Sequence, residues 1–400
     1  MAAQRQASSA AQTPHLSPAE LSYLYTSLAL PGTPIRPDGR SPTQFRPLTA
    51  ETDILPGTNG SARVGFADGT QAIVGVKAEV EKTVLGVQAL SQAEQQGYTE
   101  GNDDDAEGGD SGQSSVSGQG SWVQMSIEIP GFRDDDALPV FLSEMMREPL
   151  VESVSGGEKG NNNGQEGEGG GMIGGLKGRL VINRRWHWRL YIDVLLLSQP
   201  LSYPLPLLSL TTHLALLATK LPKLKSKGEE DPFFDDDWNA AEYLYPRVRT
   251  TKASIPGSIS VHKVRPPVTL LVISVADNII FDPSREEIAV ADAVLAISIT
   301  YDTDSDRLKL LSIRTIDPPS RLTQPGLPNS ENVATLGSTA AAEESAIVNP
   351  STGEEEVAGV WKPRRGGVKR STIARMVKMV LEKRGVGEEV LEGLEGVEVG

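Results

Sequence analysis

The sequence predicts an α+β fold: two tandem β-rich units with helices packed on their sheets. Three observations carry that prediction. Strand-like runs recur in both halves, at 61–66, 71–80, 122–129 and 186–197, then at 268–276, 293–301 and 308–316. Helix-like stretches stand between and after them, at 138–148, 205–221 and 372–384. Gly-, Ser- and Asp-rich tracts separate the blocks, so 400 residues with 40 Gly and 27 Pro fold into less core than their number suggests.

Each element has a local cause. Ser17-Pro-Ala-Glu20 opens the first helix, with Ser17 as cap, Pro18 in the first turn and Glu20 returning a bond to the cap. That helix runs to about Ala29, carries Leu21, Leu24 and Leu28 on one face, and stops before Pro31-Gly32. Asp68-Gly69 joins two runs rich in Ala, Val, Ile and Phe, a hairpin signal, and Ala62, Val64 and Phe66 share one face. The strand at 122–129 ends at Pro130-Gly131, and the helix at 138–148 stops before Pro149 or is extended from Val151. A short strand at 180–182 precedes a longer one. There Trp186, Trp188, Leu190, Ile192, Val194 and Leu196 alternate with His187, Arg189, Tyr191 and Asp193, the pattern of a half-buried strand.

The helix at 205–221 is apolar enough to be buried and ends before Pro222. In the second unit, strands at 268–276 and 279–281 meet at Asp277-Asn278. Asp282-Pro283 then starts a helix with Glu286 and Glu287 near its positive end. Runs at 293–301 and 308–316 make another hairpin, and a last helix at 372–384 aligns Ile373, Met376, Val377, Val380 and Leu381. The division is a tail and helix (1–34), a first domain (35–225) with inserts at 91–120 and 154–175, a charged insert (226–262), and a second domain (263–400) with an insert at 320–360.

Composition excludes several functions. There is no Cys, which removes disulfides, thiol catalysis and Cys-ligated zinc. His15, His187, His213 and His262 are too dispersed for a local ligand pair. Residues 1–13 lack the apolar run of a secretion signal. The greasiest stretch, 205–217, is broken by Ser, Thr and His and is shorter than the about 20 apolar residues a bilayer span needs. A net charge of −15 argues against general nucleic-acid binding. The acid is concentrated, however: 91–120 holds seven Asp or Glu and no Lys or Arg, and 229–237 holds six more. A local basic path for RNA is therefore compatible with the total. The triplets at 103–105, 134–136 and 235–237 lack the Gly and Glu spacing of a calcium loop and read as solvated.

The most informative stretch is 36–80. It contains Arg36-Pro-Asp38-Gly39-Arg40, Asn59-Gly60-Ser61-Ala-Arg63, Asp68-Gly-Thr70 and Gly75-Val-Lys77-Ala-Glu79-Val80. In order and spacing these blocks resemble the amino-terminal half of the RNase PH family, which supplies phosphorolytic 3′-exoribonucleases and the ring of the RNA exosome. Active members of that family attack RNA with inorganic phosphate. They hold the anion in a Gly-Gly-Thr-Arg-type turn after a strand, and use a pair of aspartates as general acid and metal ligands.

This chain departs from that pattern at both places. The turn after the strand at 188–197 reads Gln199-Pro-Leu-Ser-Tyr-Pro-Leu-Pro206, with prolines that lack an amide hydrogen and no Arg. Aligned on Asp282, Glu287 and Asp292, the two acid positions fall on Ile288 and Val294, which neither move a proton nor hold a metal. Gly75-Val-Lys-Ala-Glu79 is similar to the inactive class of PH-like exosome subunits. The resemblance thus implies a catalytically inert ring component without cofactor or metal. Its partners would be other PH-like subunits in a hetero-hexameric ring, cap proteins with OB-fold and KH modules, a separate exonuclease and single-stranded RNA, with no membrane. Nucleus, nucleolus and cytoplasm are the compartments it implies.

Two other readings stand beside it: a phosphorolytic enzyme whose acids are displaced to Glu286, Glu287 and Asp292, and a scaffold whose acidic inserts recruit basic partners outside any exosome. The basic residues are open between roles. Arg36 and Arg40 either contact RNA or, with Asp38, fix their own loop by ion pairs. Lys77 lies at an interface or in solvent, and Arg184-Arg185 touch phosphate or form a solvated strand end. The cluster at 361–370 is an RNA contact, a nuclear address or a neutral linker.

Overall fold

The structure, a computed structural model, describes residues 16–83, 119–151, 176, 179–226, 230–245, 265–302, 307–316, 347–348, 355–356, 361 and 367–397. The inserts expected at 91–120, 154–175 and 320–360 lie wholly or mostly outside these residues, as do 246–262 of the charged insert, 103–105 and 362–366 of the basic cluster.

Helix α1 (Pro18–Leu28) begins as its sequence dictates, with the Ser17 hydroxyl accepting from the Glu20 amide and Glu20 accepting from the Ser17 amide at 2.7 Å. Leu21, Leu24 and Leu28 are buried. Strands β1 (Leu48–Thr52), β2 (Gly60–Phe66), β3 (Gln71–Lys82), β4 (Val123–Glu128) and β5 (Trp186–Leu196) form the first sheet, ordered β1-β2-β3-β5-β4. Every ladder in it is antiparallel except β4 with β5. A parallel pair needs a crossover, and α2 (Ala137–Val151) supplies it, packed on β4.

The core turns on α3 (Leu205–Ala218), all of whose residues are buried. It packs on β2 and β3 on one side and on the second sheet on the other, which is why its sequence is apolar all round. Its polar groups are answered internally: Thr211 donates to the Leu207 carbonyl at 2.7 Å, and the Ser209 hydroxyl accepts from the Thr269 amide at 2.7 Å. Two groups are exceptions among the described residues: the buried Thr212 hydroxyl has no hydrogen-bond partner, and neither has the ring of His213. The Pro266 and Pro267 carbonyls face its ring, but burial dominates and pushes the imidazole down to about 4.

After a two-residue ladder of β6 (Lys220–Leu221) and β7 (Glu242–Tyr243), the second sheet is built from β8 (Val268–Val275), β9 (Asn278–Phe281), β10 (Ala293–Asp302) and β11 (Arg307–Ile316). Its order is β11-β10-β8-β9, antiparallel throughout. A short α4 (Arg285–Ala289) links β9 to β10, and α5 (Arg370–Leu381) and α6 (Val386–Glu395) close against β10 and β11. Among the described residues no helix is long and apolar enough to cross a membrane.

Several elements differ from the sequence expectation, each for a physical reason. Helix α2 runs through Pro149 to Val151, because burial of Pro149, Leu150 and Val151 outweighs one lost amide bond near the helix end. The strand expected at 180–182 is a single bridge between Val181 and His187. Helix α3 stops at Ala218 rather than Leu221, because the Asn59 carbonyl captures the Lys220 amide at 2.8 Å and draws the chain into extended pairing. Asp282-Pro283 does not start α4. Asp282 is left-handed (φ 46°), and Ser284 caps the helix instead. The β8–β9 turn falls one residue early, since Ala276 adopts φ 51° while its amide donates to the Asp292 carboxylate at 2.7 Å. The last helical region is two helices. Gly387 lets α6 approach: a Cβ there would lie 2.6 Å from the Val380 carbonyl oxygen and 2.7 Å from Ile299 Cδ1.

Candidate functional site

The loop from Arg36 to Pro47 carries three arginines and only one acid, Asp38, so its charges must be answered from elsewhere. The second sheet answers them. Arg36 is 3% exposed. Its guanidinium donates to both oxygens of Glu287, at 2.7 and 2.9 Å, and to the carbonyls of Ser41, Phe281 and Asp282 at 3.0–3.2 Å. This is a fork-on-fork pair in which all of the arginine's charge is spent inside the protein. Breaking one side of such a buried pair costs about 3–5 kcal/mol.

Asp282, also fully buried, is held by two further arginines. Arg40 donates to it at 2.7 Å and to Asp38 at 2.6 Å. Arg46 donates to it through Nη2 at 2.7 Å, Nε at 3.0 Å and its backbone amide at 2.9 Å. The other Arg46 amino group reaches Asp68 and the Ser202 hydroxyl, each at 2.8 Å, and the guanidinium lies over the Phe66 ring. Burial alone would lower the Arg46 pKa; the Asp282 and Asp68 carboxylates outweigh it and hold the group charged. Asp68 behaves in mirror image. Burial pushes it up, but bonds from Thr70 and the Arg46 charge keep it below the usual carboxylate range. The loop therefore staples the β9 end of the second sheet to the β2–β3 hairpin of the first.

The acids of the displaced-site reading are consumed by this architecture. Glu287 is the partner of Arg36 and also closes the Ser284 capping box. Asp292 accepts from the Ala276 amide, while its own amide donates to the Ser274 carbonyl at 2.8 Å. Glu286 is exposed on the other side of α4. Ile288 and Val294 are buried in the hydrophobic core, where no solute reaches them. Among the described residues no group of three or more His, Asp or Glu is placed to hold a metal. The turn before α3 has Pro204 at the cap position, Pro206 in the first turn and no side-chain cap bond, so it presents few amides to an anion.

The signature blocks have structural work as well. The Asn59 side chain accepts from the Ala78 amide at 2.9 Å and donates to the Lys220 carbonyl at 3.0 Å. Gly60 lies against the end of α3, and a Cβ there would sit 2.5 Å from Thr219 Cα. Ser61 accepts from the Leu55 amide at 2.9 Å. Gly75 leaves room for Leu55 on the same face. Gly39 takes the left-handed position of the turn between Asp38 and Arg40 (φ 75°). Lys77 is exposed and donates to the Gly57 carbonyl at 3.1 Å, and Glu79 is exposed opposite Arg189.

For the basic candidates, the outcome is divided. Arg36 is removed as an RNA contact because it is buried and fully engaged, and Arg40 is committed to Asp38 and Asp282. Lys77, Arg184 and Arg185 are exposed, on the first sheet and on the loop before β5 respectively. Trp361 of the basic cluster is buried, with its amide donating to the Ser22 hydroxyl at 2.9 Å. Sequence reasoning missed Arg46, the residue with the most bonds to Asp282; the excess of arginine over acid in 36–46 was the available signal.

No family model matches the chain. It is 30% identical over 289 residues to exosome complex component RRP42 of Saccharomyces cerevisiae, covering 71% of this chain and 81% of that protein. With exosome complex component rrp42 of Schizosaccharomyces pombe it shares 29% identity over 298 residues, 71% of this chain and 78% of the relative. Among solved structures, an Archaeoglobus fulgidus exosome with RNA bound to the active site aligns at TM-score 0.44 and 20% identity, over 74% of this chain and 87% of that one. An archaeal exosome core aligns at TM-score 0.41 and 19% identity, over 74% and 84%. By its similarity to the Saccharomyces relative, the chain belongs to the RRP42 family of RNase PH-like exosome ring subunits.

Proposed function

We propose that this chain is a non-catalytic, structural subunit of the RNA exosome core, supporting 3′-to-5′ RNA processing and degradation without cutting RNA itself. It pairs with a PH-like subunit of the other class, and three such pairs close a hetero-hexameric ring. OB-fold and KH proteins cap one face and a separate exonuclease docks on the other. Single-stranded RNA passes through the channel by backbone contacts rather than base reading, with Lys77, Arg184 and Arg185 as the exposed candidates. On this reading the protein works in the nucleus, the nucleolus and the cytoplasm.

One observation carries the absence of catalysis. The two carboxylates nearest the family's acid positions, Glu287 and Asp292, are bonded into the fold, and the positions themselves are buried Ile288 and Val294. A proton donor must reach the reacting oxygen, and a group locked against Arg36 does not. The test is incubation of the purified chain with RNA and inorganic phosphate. No nucleoside diphosphate is expected. Phosphate-dependent release that disappears in Asp292→Asn overturns the proposal.

A further inference from the structure

Between β6 and β7, residues 222–226 and 230–241 form an arm of paired backbone with two exposed aromatics. Leu224 bridges Phe234, the Lys225 amide donates to the Phe233 carbonyl at 2.8 Å, and the Asp235 amide donates to the Lys223 carbonyl at 2.9 Å. Phe234 is tucked beside Trp188, ring centroids 5.0 Å apart, and the Trp186 indole donates to Asp231 at 3.1 Å. Extended backbone alternates its side chains, so anchoring Phe234 inward turns Phe233 outward, where it is 63% exposed. Trp238 follows on a short 3-10 turn capped by Asp237 and is 49% exposed. Between and beside these aromatics, 230–238 carries five acids and no Lys or Arg.

We propose that this arm is a docking surface for a basic amphipathic helix, whose apolar face covers Phe233 and Trp238. The scaffold holds two large aromatics in water instead of letting them collapse onto the core, as surfaces that bind partners do. The acid left over after Lys225 pairs with Asp235 at 3.0 Å selects the partner by charge. It attracts lysine- and arginine-rich protein, and it repels RNA phosphates, anionic lipid and a second copy of the same arm. Residues 36–47 and the Asp282 cluster take no part, so the surface stands or falls independently of the proposed ring role.

The experiment titrates the full chain with a fluorescent helical peptide of lysine and leucine, with its glutamate–leucine counterpart, and with a single-stranded RNA. Two variants are compared with the parent: Phe233→Ala with Trp238→Ala, and Glu230→Lys with Asp236→Lys. Neither the Glu230 nor the Asp236 carboxylate bonds a partner among the described residues, so the charge variant keeps the fold intact. Circular dichroism and thermal melting check both. The lysine–leucine peptide is expected to bind and to weaken on the order of thirty-fold in the aromatic variant. In the charge variant it weakens about ten-fold, and its binding to the parent falls with added salt. Unchanged peptide affinity in either variant overturns the proposal. So does glutamate–leucine peptide or RNA binding that is lost with the aromatics, or self-association, read by sedimentation, that is lost with them.

Discussion

In the second sheet every residue of β8 is buried, whereas in the first sheet β3 and β5 alternate buried residues with half-buried and exposed ones. Both sheets press one face on α3. The difference lies in the other face. The C-terminal helices close over Ile299 and Leu308 of the second sheet, while Lys77, Glu79, Asp193 and Leu195 of the first remain exposed. The strands β8 and β9 and the buried Val294 of β10 therefore belong to the hydrophobic core. The sheet that bears the family signature keeps a mixed, open face.

Substitution with acid sharpens that contrast most. Val294→Asp puts a carboxylate into a site closed on both sides, and a loss of more than about 4 kcal/mol in urea unfolding is expected. Recovery of a stable fold with phosphate binding would instead reveal a latent active site there.

The next effect is read with pH. His213 ionises near 4 in the fold and near its ordinary value of about 6.5 when unfolded. Between those values the unfolded chain binds the extra proton, so its contribution is complete above pH 6.5 and drains as pH falls toward 4. Arg265, Glu395 and the Pro266 and Pro267 carbonyls are the groups facing it. The parent should lose about 3 kcal/mol across this window relative to His213→Leu, measured by denaturant unfolding at each pH. Parallel pH curves for the two proteins would remove His213 from the explanation. The smallest effect belongs to the open face. Leu195→Asp, at a position 40% exposed, should change stability by no more than about 0.5 kcal/mol in the isolated chain. A large loss there would mean that the face is not open.

What was legible in the sequence was local. Ser17, Pro18 and Glu20 set α1 within a few residues, and the alternation of 186–196 set β5 and its half-buried character. The apolar completeness of α3 announced a helix covered on every side, but not its end, which depends on Asn59 far upstream. Helix α6 escaped because its approach to β10 rests on a missing Cβ at Gly387, a fact about neighbours rather than periodicity. The site divides likewise. Ile288 and Val294 could be located by resemblance, yet the arginine cluster could not, since Arg46 and Asp282 are 236 residues apart in sequence. Charge pairing across that distance leaves only an imbalance as its trace.

A chain built to join a ring reveals it in native mass spectrometry after co-expression with PH-like partner subunits. One copy of the chain in a six-membered hetero-oligomer is the expected mass. A chain that stays monomeric, or associates only with itself, in the presence of those partners would contradict the proposed ring role.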